Sequence, residues 1–287
     1  MESLHNITDR LFVSLQQARE HPQGVSGLST GFDALDKLTT GWQKGELIVI
    51  AAPPRMGKRA FALTMINNTM YEGNLGKLWF STNLAAMQLT KMLLCNNLNI
   101  EMQQLQRSNV EEAVLDELFD KYELSNLHFD DTPYLTIDEI DSKIDEQFEI
   151  QPIEMIVIDD VNHLNYREGH KLDLADKFYQ LKALARKYEI PVIVLMETEN
   201  PQKPILNHVN DWLSLSDYEA MSKSVDVRIL LYRPEYYKIT EFSDKSSTLG
   251  LAELIYSSRI GNGSVRLKYE PRFYKFSENN ISLNQSQ

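Results

Sequence analysis

Cysteine is almost absent from this 287-residue sequence, which contains only Cys95. A single thiol cannot form a disulfide within the chain, and it fits a reducing compartment such as the cytoplasm. One thiol also argues against a cysteine-based metal cluster in a single chain. The six histidines show no metal-ligand spacing, and no pattern of serine, histidine and carboxylate residues indicates a hydrolase.

Long apolar runs are also missing. No stretch approaches the ~20 apolar residues that cross a bilayer, and the opening segment MESLHNITDR is polar and charged, unlike a signal peptide. We therefore expect a cytoplasmic protein with no membrane association. The chain length fits one large α/β domain with a short arm, or two small domains.

Positive charge is in deficit, because 29 lysines and arginines face 41 aspartates and glutamates, which gives a formal net charge of −12. Binding to a nucleic-acid backbone relies on lysine and arginine displacing counterions. The balance argues against tight non-specific DNA binding, although a local basic channel is compatible with it. We expect contact with single-stranded DNA to be weak or absent.

Short apolar segments alternate with helical segments from residue 25 onward. The strand candidates are residues 46–51, 77–81, 155–159, 191–195 and 227–232, followed by a predicted antiparallel pair at 251–256 and 265–269. Nearly continuous apolar strands are typical of a parallel sheet that helices cover on both faces. Residues 173–188 form one such helix, with a single apolar stripe. The sequence therefore predicts an α/β fold.

The first 20 residues form a predicted amphipathic helix. Its apolar positions recur at spacings of three and four: Leu4, Ile7, Leu11, Leu15 and Ala18. Two interpretations stay open, a helix packed on its own domain and an arm that docks on a neighbouring subunit. The expected organisation is an arm at 1–23, a main domain at 24–276 and a polar tail at 277–287.

A phosphate-binding loop is predicted between the first strand and the helix that follows. In such loops the backbone N–H groups and a lysine contact the phosphates. The expected nucleotide-binding residues are Pro54, Arg55, Met56, Gly57, Lys58, Arg59 and Ala60. Two positions depart from the general pattern G-x-x-x-x-G-K-[ST], because Ala52 replaces the first glycine and Arg59 replaces the hydroxyl residue.

The change at Arg59 alters the chemistry of the loop. The hydroxyl at this position normally ligates Mg²⁺, which takes oxygen ligands. Arginine has only hydrogen-bond donors and a positive charge, so it cannot ligate the metal and repels it. It can instead pair with a phosphate group and replace part of the charge of the metal.

Several segments together resemble the motor domain of the bacterial replicative DNA helicase (DnaB) family. They are GLSTGFDALD at 27–36, TGWQ at 40–43, AAPPRMGK at 51–58, DTP at 131–133, IVID at 156–159 and IPVI at 190–193. The family loop reads A-A-R-P-S-M-G-K-T, so Ala52 is ordinary there and Arg59 is not. The resemblance covers residues 24–276. It implies a RecA-like P-loop ATPase core with a mostly parallel sheet, and ATP with Mg²⁺ as cofactors.

The resemblance also implies roles for several catalytic positions, some of them substituted. Asp159 matches the Walker B aspartate that holds Mg²⁺ through water, and Lys58 matches the loop lysine. Asn83 stands where the family has a catalytic glutamate, and Glu197 where a glutamine senses the γ-phosphate. The finger segment that acts on the next subunit is shortened here, with Arg259 as the candidate arginine.

Contacts to DNA are also thinned relative to the family. The family helix after D-T-P is basic, whereas residues 141–149 are mainly acidic here. The loop expected to face single-stranded DNA, residues 200–207, contains one lysine, Lys203, and no arginine. Tracks for single strands normally need several such charges. Lys203 is therefore a weak DNA-binding candidate.

These substitutions favour a helicase-like domain with impaired ATP hydrolysis that acts by nucleotide or protein binding, as a helicase accessory or regulator. The helix at 1–20 resembles the family's linker helix, which grips the next subunit of a ring, so a replicative helicase or a second copy of the chain is the expected partner. We expect the family's N-terminal domain to be absent. The alternative is an active ATP-dependent helicase or translocase with an atypical loop. A related recombinase or clock-type RecA ATPase is a third interpretation.

Overall fold

The computed structural model describes residues 3–20, 25–70, 75–107, 110–123, 125–164, 172–199, 215–233, 250–258 and 261–278. Nine strands of these ranges form one sheet: β1 Leu47–Ala52, β2 Gly76–Ser81, β3 Leu127–Asp130, β4 Ile153–Asp159, β5 Val192–Glu197, β6 Val227–Tyr232, β7 Gly250–Ser258, β8 Asn262–Glu270 and β9 Lys275–Glu278. Their order across the sheet is β3-β2-β4-β5-β1-β6-β7-β8-β9.

The first six strands in this order are parallel, and β7, β8 and β9 extend the sheet in antiparallel fashion. Strand β1 lies at the centre, with Ile48 paired to Ile193 on one side and to Val227 on the other. This arrangement confirms the predicted mostly parallel α/β fold, including the antiparallel pair near the C-terminal end.

Helices cover both faces of the sheet. They are α1 Leu4–Glu20, α2 Asp33–Thr39, α3 Lys58–Thr69, α4 Ala86–Leu98, α5 Met102–Gln106, α6 Glu112–Glu123, α7 Ile137–Ile150, α8 Leu174–Tyr188 and α9 Leu215–Ser222. Short 3-10 helices occupy Val161–His163 and Pro271–Phe273. None of the helices in the described ranges is long and apolar enough to span a membrane.

The core consists of two apolar layers, one on each face of the sheet. Along β1, Ile48 and Ile50 belong to the layer that includes Phe61 of α3, while Val49 belongs to the layer that includes Phe178 of α8. This alternation follows from the two-residue period of a strand. Because both faces are buried, β1 is fixed in the middle of the domain and its C-terminal end has a defined position.

Two strands, β3 and β9, were not expected from the sequence. Strand β3 has the polar sequence LHFD and lies at one edge of the sheet, beyond β2. Strand β9 lies at the opposite edge. It includes Ser277 and Glu278, which the sequence assigns to the polar tail. The strand therefore extends the folded domain two residues beyond the predicted boundary.

Helix α1 matches the predicted N-terminal helix and exposes most of its apolar side chains. Leu4 is 79% exposed and Phe12 is 65% exposed. The helix touches the main domain through an ion pair in which the Arg10 guanidinium lies 3.0 Å from a carboxylate oxygen of Glu189. The apolar surface of α1 is therefore largely exposed to solvent.

Candidate nucleotide site

The predicted phosphate loop connects β1 directly to α3. Gly57, which precedes the first helical residue, has φ of 96°, in the left-handed region that favours glycine. A Cβ atom at this position would lie 2.9 Å from Cζ of Tyr269 and 3.2 Å from Cζ of Phe276. Glycine is therefore required both by the backbone conformation and by the aromatic pair behind the loop.

The loop residues differ in what they present to a ligand. Met56 and Ala60 are buried in the apolar core, so only their backbone groups can face a phosphate. Arg55 is exposed with φ of 66°, and Pro54 is half-buried. The N-terminal end of α3 has no side-chain cap, and backbone N–H groups at such an end suit an anion.

The C-terminal ends of β1, β5, β4 and β2 lie side by side, because these strands are parallel neighbours. This edge brings together the loop, Glu197 at the end of β5 and Asp159 at the end of β4. Ligands of open α/β sheets bind at this edge of the strands. The structure thus places three of the expected site elements in one region.

Lys58 is bound to carboxylates of the chain itself. Its ammonium nitrogen lies 2.8 Å from Oε2 of Glu197 and 3.6 Å from Oδ2 of Asp160. The lysine is only 7% exposed. The positive charge that a phosphate loop normally offers to the ligand is therefore neutralised within the protein.

The backbone of Glu197 is fixed on both sides. Glu197 pairs with Ala52 in the β1–β5 register, and the N–H of Thr198 donates to the Ala52 carbonyl at 3.0 Å. The side-chain amide of Asn162 donates to the Glu197 carbonyl at 2.8 Å. The Glu197 side chain is 47% exposed, whereas Lys58 is almost fully buried.

Arg59 contacts the aspartate expected to hold the metal. Its Nε donates to Oδ2 of Asp159 at 2.6 Å, and Asp159 is fully buried. The other carboxylate oxygen, Oδ1, is buried and accepts no hydrogen bond from the residues that the structure describes. Burial raises the pKa of Asp159, and the Arg59 guanidinium opposes this shift.

Asp160 is a further site residue that the sequence reasoning missed. It is 1% exposed, and burial raises its pKa, while the N–H of Asn162 and the charge of Lys58 oppose the shift. Its own N–H donates to the hydroxyl of Thr82 at 3.0 Å, which ties the turn after β2 to the end of β4. The doubled aspartate after an apolar strand was the available signal.

Comparison with known protein families shows which family the chain belongs to. The chain matches the family model of the DnaB-like helicase C terminal domain over residues 27–278. The chain belongs to this family. The match covers the loop, the ends of β4 and β5 and the antiparallel extension, and it confirms the resemblance to DnaB helicases.

Curated relatives include three replicative helicases. The chain is 27% identical to the replicative DNA helicase DnaB of Geobacillus stearothermophilus over 96% of its length, and 25% identical to the replicative DNA helicase DnaC of Bacillus subtilis. It is 31% identical to a probable replicative DNA helicase of Trieres chinensis over 88% of its length. The chain spans 62%, 62% and 57% of these proteins, so it corresponds to part of each.

Solved structures show the same fold. A solved ATPase domain aligns with a TM-score of 0.81 at 21% identity, covering 96% of this chain and 99% of that one. A DnaB-like replicative helicase described with its interactions with primase aligns with a TM-score of 0.79 at 21% identity. In that case the alignment covers 98% of this chain and 68% of the other.

Of the remaining expected site residues of this DnaB-like domain, one lies within the described part of the chain and two lie outside it. Asn83 is exposed in the turn after β2, two residues beyond Ser81, which pairs with Asp159. Arg259 and Lys203 lie outside the residues that the structure describes. The acidic helix α7 contains Lys143, whose ammonium group pairs with Asp130.

The residues of this DnaB-like domain fit a phosphate group but do not fit Mg²⁺ bound in the manner of the family. The loop backbone and the start of α3 suit an anion. Arg59, in contrast, supplies no oxygen ligand, and its guanidinium occupies one oxygen of Asp159. A second positive charge beside that carboxylate would be repelled.

Proposed function

We propose that this chain is a DnaB-like domain associated with DNA replication that hydrolyses ATP poorly and acts through nucleotide or protein binding, as an accessory or regulator of a replicative helicase. The observation that carries the proposal is the contact between Arg59 and Asp159 at 2.6 Å. It places a fixed side-chain cation against the carboxylate that the family uses for the metal.

The loss of metal binding removes a large part of phosphoryl-transfer catalysis. Metal ions in such enzymes bridge the phosphates and neutralise charge that develops during the reaction. The Arg59 guanidinium can neutralise charge, but it cannot coordinate phosphate oxygens in an octahedral shell as Mg²⁺ does. The substitution therefore supports binding without efficient turnover.

Two further positions support the same proposal. Asn83 has no carboxylate to accept a proton from the attacking water, and loss of a general base costs about 10²–10⁴ in rate. Glu197 places a negative charge on Lys58, where the family has a neutral glutamine. Each of the three substitutions affects a separate step, namely metal binding, water activation and phosphate sensing.

The charge of the surface supports a role that does not require DNA. Helix α7 exposes Asp138, Glu139, Asp145, Glu146 and Glu149. Its lysine is paired with Asp130. A surface of this sign does not attract a phosphate backbone. We therefore propose that single-stranded DNA is bound weakly or not at all.

The arm α1 supports a protein partner. Its apolar side chains are largely exposed, and an amphipathic helix of this kind binds an apolar groove of another protein. We propose that it docks on a replicative helicase of the DnaB type, or on a second copy of this chain, in the way that the linker helix of the family grips the next subunit of a ring.

The proposal is tested by ATP turnover of the purified chain, measured with and without Mg²⁺ and single-stranded DNA. We expect turnover at least about 100-fold below that of an active DnaB-type helicase assayed in parallel. The combined variant Arg59→Thr, Asn83→Glu, Glu197→Gln restores the family residues, and we expect it to raise Mg²⁺-dependent turnover.

The wild-type assay is interpreted with Lys58→Ala as its background. Wild-type turnover that DNA stimulates and that Lys58→Ala abolishes would show an active motor and contradict the proposal. Circular dichroism of each variant verifies that a low rate reflects the site and not loss of the fold.

A further inference from the structure

The two cations of the phosphate loop differ in how far the protein itself neutralises them. Lys58 faces two carboxylates, Glu197 at 2.8 Å and Asp160 at 3.6 Å, and its side chain is only 8% exposed. Arg59 faces one carboxylate, that of Asp159, to which its Nε donates at 2.6 Å. Arg59 is therefore the loop cation whose charge is less fully neutralised before a ligand binds.

The guanidinium of Arg59 is anchored at one end and open at the other. Its Nε is bound to Asp159, and its terminal amino groups donate to no residue in the part of the chain that the structure describes. The Arg59 side chain is 27% exposed, whereas that of Asp159 is fully buried. An arginine held in this way keeps its remaining N–H donors in one plane, which is the geometry that binds two oxygens of a phosphate at once.

The backbone around Arg59 adds N–H donors that helix α3 does not use. The first hydrogen bond within α3 runs from the N–H of Phe61 to the carbonyl of Gly57 at 2.8 Å. The N–H groups of Lys58, Arg59 and Ala60 therefore have no acceptor within the helix, and N–H groups at a helix start bind phosphate. Arg59 thus belongs to the part of the loop that suits a phosphate group.

We infer that Arg59 binds a phosphate of the nucleotide in place of a divalent cation, so that the site takes ADP or ATP without Mg²⁺. None of the side chains at 53–60, PPRMGKRA, has an oxygen that could ligate the metal, and Arg59 occupies one oxygen of Asp159. A guanidinium neutralises a phosphate through charge-assisted hydrogen bonds and needs no octahedral shell of oxygens. The inference rests on the proposed function, whose ligand it identifies as a metal-free nucleotide.

Isothermal titration calorimetry of the full chain with ADP and with ATP tests the inference, first in EDTA and then in excess Mg²⁺. We expect both nucleotides to bind at least as tightly in EDTA as in Mg²⁺, because Arg59 repels a metal carried by the phosphates. Tightening of wild-type binding by Mg²⁺ of more than about threefold would overturn the inference. The absence of saturable binding of either nucleotide by folded wild-type protein would overturn it as well.

The variant Arg59→Thr exchanges the guanidinium for the hydroxyl that a magnesium site uses. We expect it to weaken binding in EDTA at least about tenfold, since it removes a charged hydrogen-bonding group, and to make binding tighter in Mg²⁺ than in EDTA. Arg107→Thr, at the exposed end of α5, is the matched control because it removes an equal charge outside the loop. The control should leave all affinities unchanged, and unchanged binding in EDTA by Arg59→Thr would contradict the inference.

A second variant, Arg59→Lys, keeps a cation beside Asp159 in case Arg59→Thr fails to fold with that carboxylate unpaired. Lysine lacks the planar set of donors, so we expect binding in EDTA to weaken at least about threefold, without a gain from Mg²⁺. Wild-type affinity in EDTA, or tighter binding in Mg²⁺, would contradict the inference. These outcomes are separate from the turnover assay, because a chain that binds only the magnesium complex and still fails to hydrolyse it contradicts the inference alone.

Discussion

Two adjacent carboxylates, Asp159 and Asp160, are buried at the end of β4 and differ in their partners. Asp159 faces Arg59, whereas Asp160 accepts a hydrogen bond from the N–H of Asn162 at 2.9 Å and lies 3.6 Å from Lys58. Burial raises the pKa of Asp160 above its ordinary value of 3.8, although Lys58, His163 and Arg59 act in the opposite direction.

This raised pKa makes stability depend on pH. The unfolded carboxyl ionises near 3.8, and the folded one ionises at higher pH. The contribution of Asp160 to the free energy of unfolding is therefore fully present below the unfolded pKa and is lost as pH rises through the folded pKa. The protein must ionise a carboxyl in a place where burial disfavours the charge.

We predict that Asp160→Asn removes the pH-dependent contribution of Asp160 to the free energy of unfolding. As pH rises above about 4, the difference in free energy of unfolding between variant and wild type should shift in favour of the variant. Urea denaturation at several pH values measures it. Asp116→Asn, on the exposed face of α6, is the control. Parallel pH profiles for wild type and Asp160→Asn would show that Asp160 does not titrate differently on folding.

The sequence predicted the chemistry of single positions better than their pairing. The sequence alone shows that Arg59 and Glu197 depart from the family pattern. The pairing of Glu197 with Lys58 depends on β5 lying next to β1, and these strands are separated by three others in the chain. Asp160 was missed because the family pattern draws attention to the first aspartate of the pair.

Helix α7 begins with a capping box, in which the side chains of Thr136 and Glu139 each bind the backbone N–H of the other residue. The hydroxyl of Thr136 accepts a hydrogen bond from Glu139 N–H at 3.2 Å, and the Glu139 carboxylate accepts one from Thr136 N–H at 2.8 Å. Both N–H groups would otherwise lack a partner within the helix.

We predict that Thr136→Ala lowers the free energy of unfolding by about 1 kcal/mol, the usual cost of losing such a cap. Chemical denaturation measures the change. Ser142→Ala, at an exposed position inside the same helix, should change stability by less than about 0.5 kcal/mol. Equal effects of the two substitutions would argue against a specific role for the cap.

Among the elements of the sheet, the central strands could be predicted from the sequence and the edge strands could not. A strand that is buried on both faces must be apolar throughout, as in LIVIAA of β1. Edge strands such as β3 and β9 are short and partly exposed, so LHFD and KFSE satisfy them without an apolar run. Their place in the sheet depends on neighbours and not on their own composition.

For the molecule as a whole, the exposed apolar surface of α1 predicts association. We expect the double variant Leu11→Glu with Leu15→Glu to weaken binding to a replicative helicase, or self-association, at least about tenfold, because burial of each side chain contributes about 1.5–3 kcal/mol. Pull-down with a DnaB-type helicase and light scattering of the chain alone measure the two cases.

The matched control is Asn6→Glu with Gln16→Glu, which adds the same charge at exposed polar positions of α1. We expect it to leave association intact. If both double variants bind equally well, α1 is not the docking element. Loss of binding in both would point to the added charge and not to the apolar side chains.

The aromatic support of the phosphate loop has a consequence for biosynthesis. Gly57 is packed against Tyr269 and Phe276, and those two rings stack with centroids 4.3 Å apart. Both aromatic residues follow Gly57 by more than 200 positions in the chain. A ribosome therefore produces the loop well before the residues that hold its shape, so the nascent chain has no finished phosphate site until those residues have been released.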